Sequence, residues 1–333
     1  MLKNKKFRIS AIVICMMLAI VLPGLVYANS KLEKLEMNPL VTTGSNGYFN
    51  DLKVNAAIPQ VPGQMKVYKV KDLNLSKEDM NKLMSTFGVK GEVRVNDKEL
   101  AVFDGENTII LDKRTGSYNY YTKKLINAFN PIRNLLSDEE YKELAEKYLK
   151  EKNLMKDGAY YRKTLRHTVG KAGQDEQVCL VEVVFTKDLN GQKFSGVGPK
   201  ICVFFGENGE IIGTYSVWIE VEEYEEYPII DSQKAIDNVL NGKAIISNIG
   251  KEDSGNINNI EIIYDMESLR SNQKYVIPYY MIKGKNVSGN DFGALTRAIP
   301  EEYITETNLD DISGIKHYNS DRNEIIPHRE DEN

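Results

Sequence analysis

Ser137-Asp138-Glu139-Glu140-Tyr141-Lys142-Glu143-Leu144-Ala145-Glu146-Lys147-Tyr148-Leu149 carries both its own start signal and its own buried face. Ser137 and Glu140 form a capping box, in which each satisfies a free amide at the opening of a helix. Tyr141, Leu144, Ala145, Tyr148 and Leu149 then recur at i, i+3, i+4, i+7 and i+8, so one helix face is apolar and the other is solvated Lys and Glu. Four strand-like runs follow: Arg162 to Val169, Gln177 to Thr186, Lys200 to Phe205 and Glu210 to Val221. Their turns, Asp188-Leu189-Asn190-Gly191 and Gly206-Glu207-Asn208-Gly209, contain Asn-Gly pairs that tolerate the positive φ of tight hairpins. A helix followed by hairpin-linked strands, with no β-α-β alternation, predicts an antiparallel sheet with a helix on one face. Residues 131–228 are expected to form one such unit.

The same order recurs on both sides. In residues 65–130, Met65-Lys66-Val67-Tyr68-Lys69-Val70 alternates as a half-buried strand, and Ser76 opens a helix whose apolar face is Met80, Leu83, Met84 and Phe87. Gly88 stops that helix, and Gly91 to Val95, Glu99 to Phe103, Thr108 to Asp112 and Ser117 to Thr122 read as strands. In residues 229–304, Asp231-Ser232 caps a helix using Ala235, Ile236, Val239 and Leu240, stopped by Gly242, before strands at Asn259 to Tyr264 and Lys274 to Ile282. The expected fold is α+β, with tandem modules each of a helix packed on an antiparallel β-sheet. Residues 29–64, rich in Asn, Gly, Ser and Pro, read as a linker or poorly ordered leader, and the charged residues 305–333 as a polar C-terminal tail.

The first 28 residues set the expected compartment. Lys3, Lys5, Lys6 and Arg8 precede the apolar run Ala11 to Leu22, and Val26-Tyr27-Ala28 supplies a small-x-small cleavage pattern. That run falls short of the ~20 residues that span a bilayer, which favours a removed signal peptide over a permanent N-terminal anchor. Cys15 follows Ile14 inside the run, where a lipidated cysteine would need a small residue before it. The chain has 43 basic and 48 acidic residues, a formal charge of -5, which argues against a nucleic-acid or anionic-membrane binder. After cleavage two cysteines remain, Cys179 and Cys202, too few for a disulfide-stapled scaffold. They lie in neighbouring strand-like runs, so either a Cys179–Cys202 disulfide or two buried thiols fits the pattern.

A helix followed by a twisted antiparallel sheet with a Gly206-Glu207-Asn208-Gly209-Glu210 hairpin resembles the PepSY-type extracytoplasmic module. Ser137 to Lys285 also resembles the YycH/YycI group of Gram-positive regulators. The residues carrying this are Ser195-Gly196-Val197-Gly198-Pro199-Lys200-Ile201, Gly209-Glu210-Ile211-Ile212-Gly213, Tyr227-Pro228-Ile229-Ile230-Asp231-Ser232, and Tyr275-Val276-Ile277-Pro278-Tyr279-Tyr280. The resemblance implies an exported cell-envelope regulator that packs such modules outside the membrane and restrains an envelope or membrane protein such as a sensor kinase. PepSY-type modules also resemble protease pro-regions, so a secreted hydrolase or a pro-region-like inhibitor is an alternative, and a structural envelope component is a third.

Sets of residues that carry chemistry are scarce. There is no His-Glu-x-x-His, Gly-x-Ser-x-Gly, Walker loop or Gly-x-Gly-x-x-Gly, so no enzyme activity, cofactor or metal is expected. Of three histidines, His317 and His328 lie in the expected tail, and His167 beside Arg166 reads as a cross-strand or surface residue. Cys179, flanked by Val178 and Leu180, lacks the polar, electropositive setting of a reactive thiolate. Asp188-Leu189-Asn190-Gly191 and Asn308-Leu309-Asp310-Asp311 lack the later ligands of a calcium loop. The most unusual segment is Glu220-Val221-Glu222-Glu223-Tyr224-Glu225-Glu226-Tyr227. Its carboxylates, with Tyr224 and Tyr227, suit an interaction surface for a basic partner, a cation or cell-wall-associated ions, and the favoured alternative is a charged strand end that discourages edge pairing. With 19 tyrosines and one tryptophan, amphipathic sheet faces that recognise peptide or glycan are also consistent.

Overall fold

The computed structural model describes residues 32–40, 49–170, 175–247, 254–267 and 272–307. The expected signal peptide, residues 1–28, lies outside the described residues, as do residues 308–333 of the expected tail. Among the described residues no helix is long and apolar enough to cross a membrane. In chain order the strands of the first half are β1 (Leu35–Met37), β2 (Asp51–Val54), β3 (Gln64–Val70), β4 (Arg94–Val95), β5 (Glu99–Phe103), β6 (Asn107–Asp112), β7 (Tyr118–Thr122) and β8 (Tyr160–Val169). They continue as β9 (Gln177–Thr186), β10 (Phe194–Gly196), β11 (Lys200–Phe205), β12 (Ile211–Val217) and β13 (Val221–Pro228). The last six are β14 (Ile245–Ser247), β15 (Ser254–Met266), β16 (Tyr275–Val276), β17 (Pro278–Asn286), β18 (Asp291–Arg297) and β19 (Ile304–Glu306). The helices are α1 (Lys77–Phe87), α2 (Lys123–Ile126), α3 (Asp138–Glu151) and α4 (Ser232–Leu240). The protein is a strand-dominated α+β fold.

Helix boundaries follow local chemistry. The Ser137 hydroxyl of α3 accepts from the Glu140 amide, and the Glu140 carboxylate accepts the Ser137 N–H at 2.8 Å. Ser76 and Asp79 repeat this at α1, which ends where Gly88 takes φ 72°. At α4, Asp231 accepts from the Lys234 amide at 2.7 Å. Met80 and Met84 of α1, and Tyr141, Ala145 and Leu149 of α3, share one core with Leu100, Ile109, Val181, Val183, Ile201 and Phe205. Both helices therefore cover one face of a single antiparallel sheet in the order β4-β5-β6-β7-β12-β11-β9-β8. The strands expected in residues 65–130 and in 131–228 are joined in that sheet by pairing of Tyr118–Tyr121 with Gly213–Ser216.

Several strands pair where sequence patterning does not foretell. β3, read as the opening strand of the first unit, lies between β13 and β16 instead. Alternation fixes which side chains a strand buries but not its neighbour. The third sheet runs β10-β15-β17-β18-β14, with β2 also on β15, and α4 packs Ala235, Ile236 and Val239 against it. It is not wholly antiparallel, since β10 and β2 run parallel to β15, and β1 and β19 form a separate two-stranded parallel sheet. Each of these is a short strand delivered by a long connection, which is what a parallel pairing requires. The expected poorly ordered leader is therefore corrected over its described residues: Leu35, Met37, Phe49 and Leu52 are buried, and β1 and β2 each complete a sheet. Thr305 and Glu306, expected in the tail, belong to β19.

On β17, Gly284 lies against the ring of Phe292, which packs on Phe49 with centroids 4.6 Å apart. An alanine methyl there would stand 2.1 Å from the Asn256 carbonyl oxygen and 2.7 Å from the Phe292 ring. Gly284→Ala should cost about 1–3 kcal/mol or more, as overpacking does, lowering the urea midpoint. Gly63→Ala, where nothing lies within 4 Å, should leave it in place.

Candidate functional site

β8 reads Tyr-Tyr-Arg-Lys-Thr-Leu-Arg-His-Thr-Val, with four basic or histidine side chains and no carboxylate in ten residues. It is the last strand of the eight-stranded sheet, so among the described residues one row of its backbone N–H and C=O groups has no strand against it. Its charges differ in what they touch. Arg166 pairs with Asp138 at the start of α3 and donates to the Leu136 carbonyl at 3.3 Å. His167 Nε2 lies 2.9 Å from Glu182 on β9, the cross-strand role expected of it. Arg162 and Lys163 are exposed and make no hydrogen bond or ion pair with the described residues.

At its Tyr160 end β8 opens on a cleft of about 210 Å³ between the eight-stranded sheet and β10, β15 and β17. Phe194, Ile263 and Met281 give it apolar walls. Glu261 accepts from Lys193 and from Lys283, both at 2.8 Å, while the Tyr160 hydroxyl donates to Asp188 at 2.8 Å. Partial burial works to raise the Glu261 pKa, but the two ammonium groups outweigh it and hold the carboxyl below its usual range. Arg162, Lys193 and Lys283 set against Asp188 and Glu261 leave the lining with an excess of one positive charge. A second groove, of about 480 Å³, lies between residues 123–132 and the 206–210 hairpin, and both Ile126 and Phe129 are exposed close by in the chain.

The acidic, aromatic run forms β13, paired with β3 and, among the described residues, open on its other side. Glu220, Glu222, Glu223, Glu225 and Glu226 are all exposed, with Glu223 bridged to Lys66 at 3.1 Å. Tyr227 is not on this surface: it is fully buried, and its hydroxyl donates to the Glu33 carbonyl at 2.8 Å. Tyr224 is half-buried and donates to the Glu33 carboxylate at 3.2 Å. Residues three apart on a regular strand face opposite ways, but a register shift between Glu223 and Glu226 turns both tyrosines toward one core.

The disulfide reading is also corrected. Both cysteines are free. Cys202 on β11 lies opposite Val184 on β9, five positions from Cys179 and so roughly 17 Å along the strand, beyond the ~7 Å reach of a disulfide. The Cys179 thiol faces the His167 carbonyl at 3.5 Å, not its imidazole. Cys202 is 2 % exposed, and burial, with the charge of Glu182, pushes its thiol well above the usual range. Among the described residues no group of three or more His, Cys, Asp or Glu is placed to hold a metal ion.

No protein-family model matches this chain, and no curated protein matches it. No match supports the PepSY or YycH/YycI resemblance. Among solved structures, the chain is similar to an uncharacterized protein from Eubacterium rectale, at 13% identity and a TM-score of 0.44 over 74% of this chain and 89% of that one.

Asp188 entered the sequence reading only as a turn and Ser195 only within the resemblance; the other cleft residues were not singled out from sequence. Their one local signal is Glu261, a carboxylate interrupting the apolar run Ile260 to Tyr264. Two residues beyond Ile263 on the same side of β15 lies Asp265, 9% exposed. Burial first and the Glu267 charge second push its pKa up to about 6. A carboxyl raised in the folded state binds its proton more tightly there than in the unfolded chain, so stability is fullest below the unfolded value of about 4 and falls as pH rises through 6. Asp265→Asn should remove that dependence. In urea unfolding it should match the parent near pH 4 and exceed it at pH 8 by up to about 3 kcal/mol.

Proposed function

We propose that this protein is exported and acts in the cell envelope as a non-catalytic binding or regulatory protein, holding a protein partner through the open edge of its eight-stranded sheet. The observation that carries this reading is β8: among the described residues it presents ten residues of unpaired strand edge, with Arg162 and Lys163 making no hydrogen bond or ion pair beside a charged cleft. Proteins usually shorten or cover such edges, and strand addition is a common way for one chain to hold another. We read the architecture as helix-on-sheet modules in tandem, α1 and α3 on the eight-stranded sheet and α4 on the six-stranded one; the separate cores of these two sheets support that reading. Export rests on the basic, apolar and small-x-small succession ending at Ala28.

A photo-cross-linking amino acid placed at Lys163 in the full chain should, on irradiation of growing cells, give a discrete adduct of higher mass. The same amino acid at Lys147, on the solvated face of α3, should give none. No adduct from Lys163, or the same adducts from both sites, defeats the binding reading. Export has its own check: intact-mass measurement of the extracytoplasmic form should place its first residue at Asn29.

A further inference from the structure

We infer that the partner's docking element is an extended acidic polypeptide segment, which joins β8 as an antiparallel ninth strand and delivers a carboxylate to Arg162 in the adjoining cleft. This rests on the binding reading above. Direction comes first. Every pairing within the eight-stranded sheet is antiparallel, so a strand added in the same manner would run from the Val169 end of β8 toward Tyr160. Its C-terminal end arrives where Tyr160 and Arg162 line the cleft.

Charge comes second. β8 offers basic side chains and no carboxylate, and opposite charges across a strand pair stabilise while like charges repel. A second copy added β8 to β8 would set two such basic rows against one another, which disfavours self-pairing at this edge. The other long open edge, β13, is acidic and repels the same segment. β4, β10 and β14 are two or three residues long, too short to hold an extended chain.

The cleft supplies the third argument. Glu261 shows that this site already keeps one carboxylate ionised against partial burial, using Lys193 and Lys283. Among the described residues Arg162 is the cleft cation with no hydrogen bond or ion pair, and its planar fork suits two hydrogen bonds to an incoming carboxylate. The carboxylate can be the segment's C-terminus or a terminal Asp or Glu side chain, and the two sources separate when the peptide end is amidated.

Random octapeptides displayed on phage and panned on the signal-free protein should enrich sequences that mix β-branched residues with Asp or Glu. Fluorescence polarisation of a synthetic copy should then show binding that weakens at least tenfold in R162E/K163E, and equally when alternate peptide amides are N-methylated. Both residues are exposed and unpaired, so the melting curve of R162E/K163E should match the parent; should it not, R162Q/K163Q reads the same loss with less disturbance. No enrichment, enrichment without acidic bias, or binding indifferent to these variants or to N-methylation overturns the inference. If the Lys163 adduct persists in that case, the protein binds a partner by another mode, whereas loss of the adduct as well removes the binding reading itself.

Discussion

Backbone pairing of Tyr118–Tyr121 with Gly213–Ser216 is the seam on which the rest of the molecule depends. It joins a four-stranded run built before α3 to a four-stranded run built after it, so that α1 and α3 share one buried face. A short sheet carrying a single helix can bury little apolar surface, and stability grows with the fraction buried. The seam is also tight: a side chain at Gly213 would stand 2.5 Å from Leu125 and 3.1 Å from the Tyr120 carbonyl oxygen. Glycine is what lets α2 and β7 close on β12.

Elements whose signals are local were legible in the sequence. Capping residues Ser76, Ser137 and Asp231, stopping glycines and Asn-Gly turns act within a few residues of where they stand, and α1, α3, α4 and the β8-β9-β11-β12 meander fall close to where those signals place them, although β10 within it joins β15 and the last expected strand ends at Val217. What could not be read was long-range partnership. Leu35, Leu52 and Val67 carry ordinary apolar patterning, yet their strands find partners far along the chain at Ile304, Gly255 and Tyr275–Val276. Loop-closure entropy changes only slowly with separation, so nothing in the sequence singles out the distant neighbour. The candidate site was illegible for the same reason: Arg162, Lys193, Glu261 and Lys283 come from four segments, and only the folded chain gathers them. In the acidic run, sequence revealed its exposed carboxylates but not the bulge that buries Tyr227.

Among the described residues two long strand edges are open, and their charge bears on how copies of the chain would meet. Each edge carries charge of one sign, β8 positive and β13 negative, which makes like-with-like pairing unfavourable. The two are not equivalent, because Lys66 of the neighbouring strand already engages Glu223 on β13, while Arg162 and Lys163 on β8 form no ion pair with the described residues. The same cations that guard β8 against its own kind select an acidic segment, so protection and recognition are two uses of one charge pattern.

The parallel pairing of Leu35–Met37 with Ile304–Glu306 fixes how the chain leaves the fold. In a parallel pair the upstream end of one strand and the downstream end of the other point in opposite directions along the axis. Tension between residues 35 and 306 would therefore try to slide the two strands past each other, loading their hydrogen bonds simultaneously instead of peeling them open in turn. Arg297 reinforces that junction by donating to the Asn38 carbonyl and to Glu306. The β1–β19 contact is thus arranged as a shear clamp, a geometry that resists pulling on the two ends of the folded body far better than its three-residue length suggests.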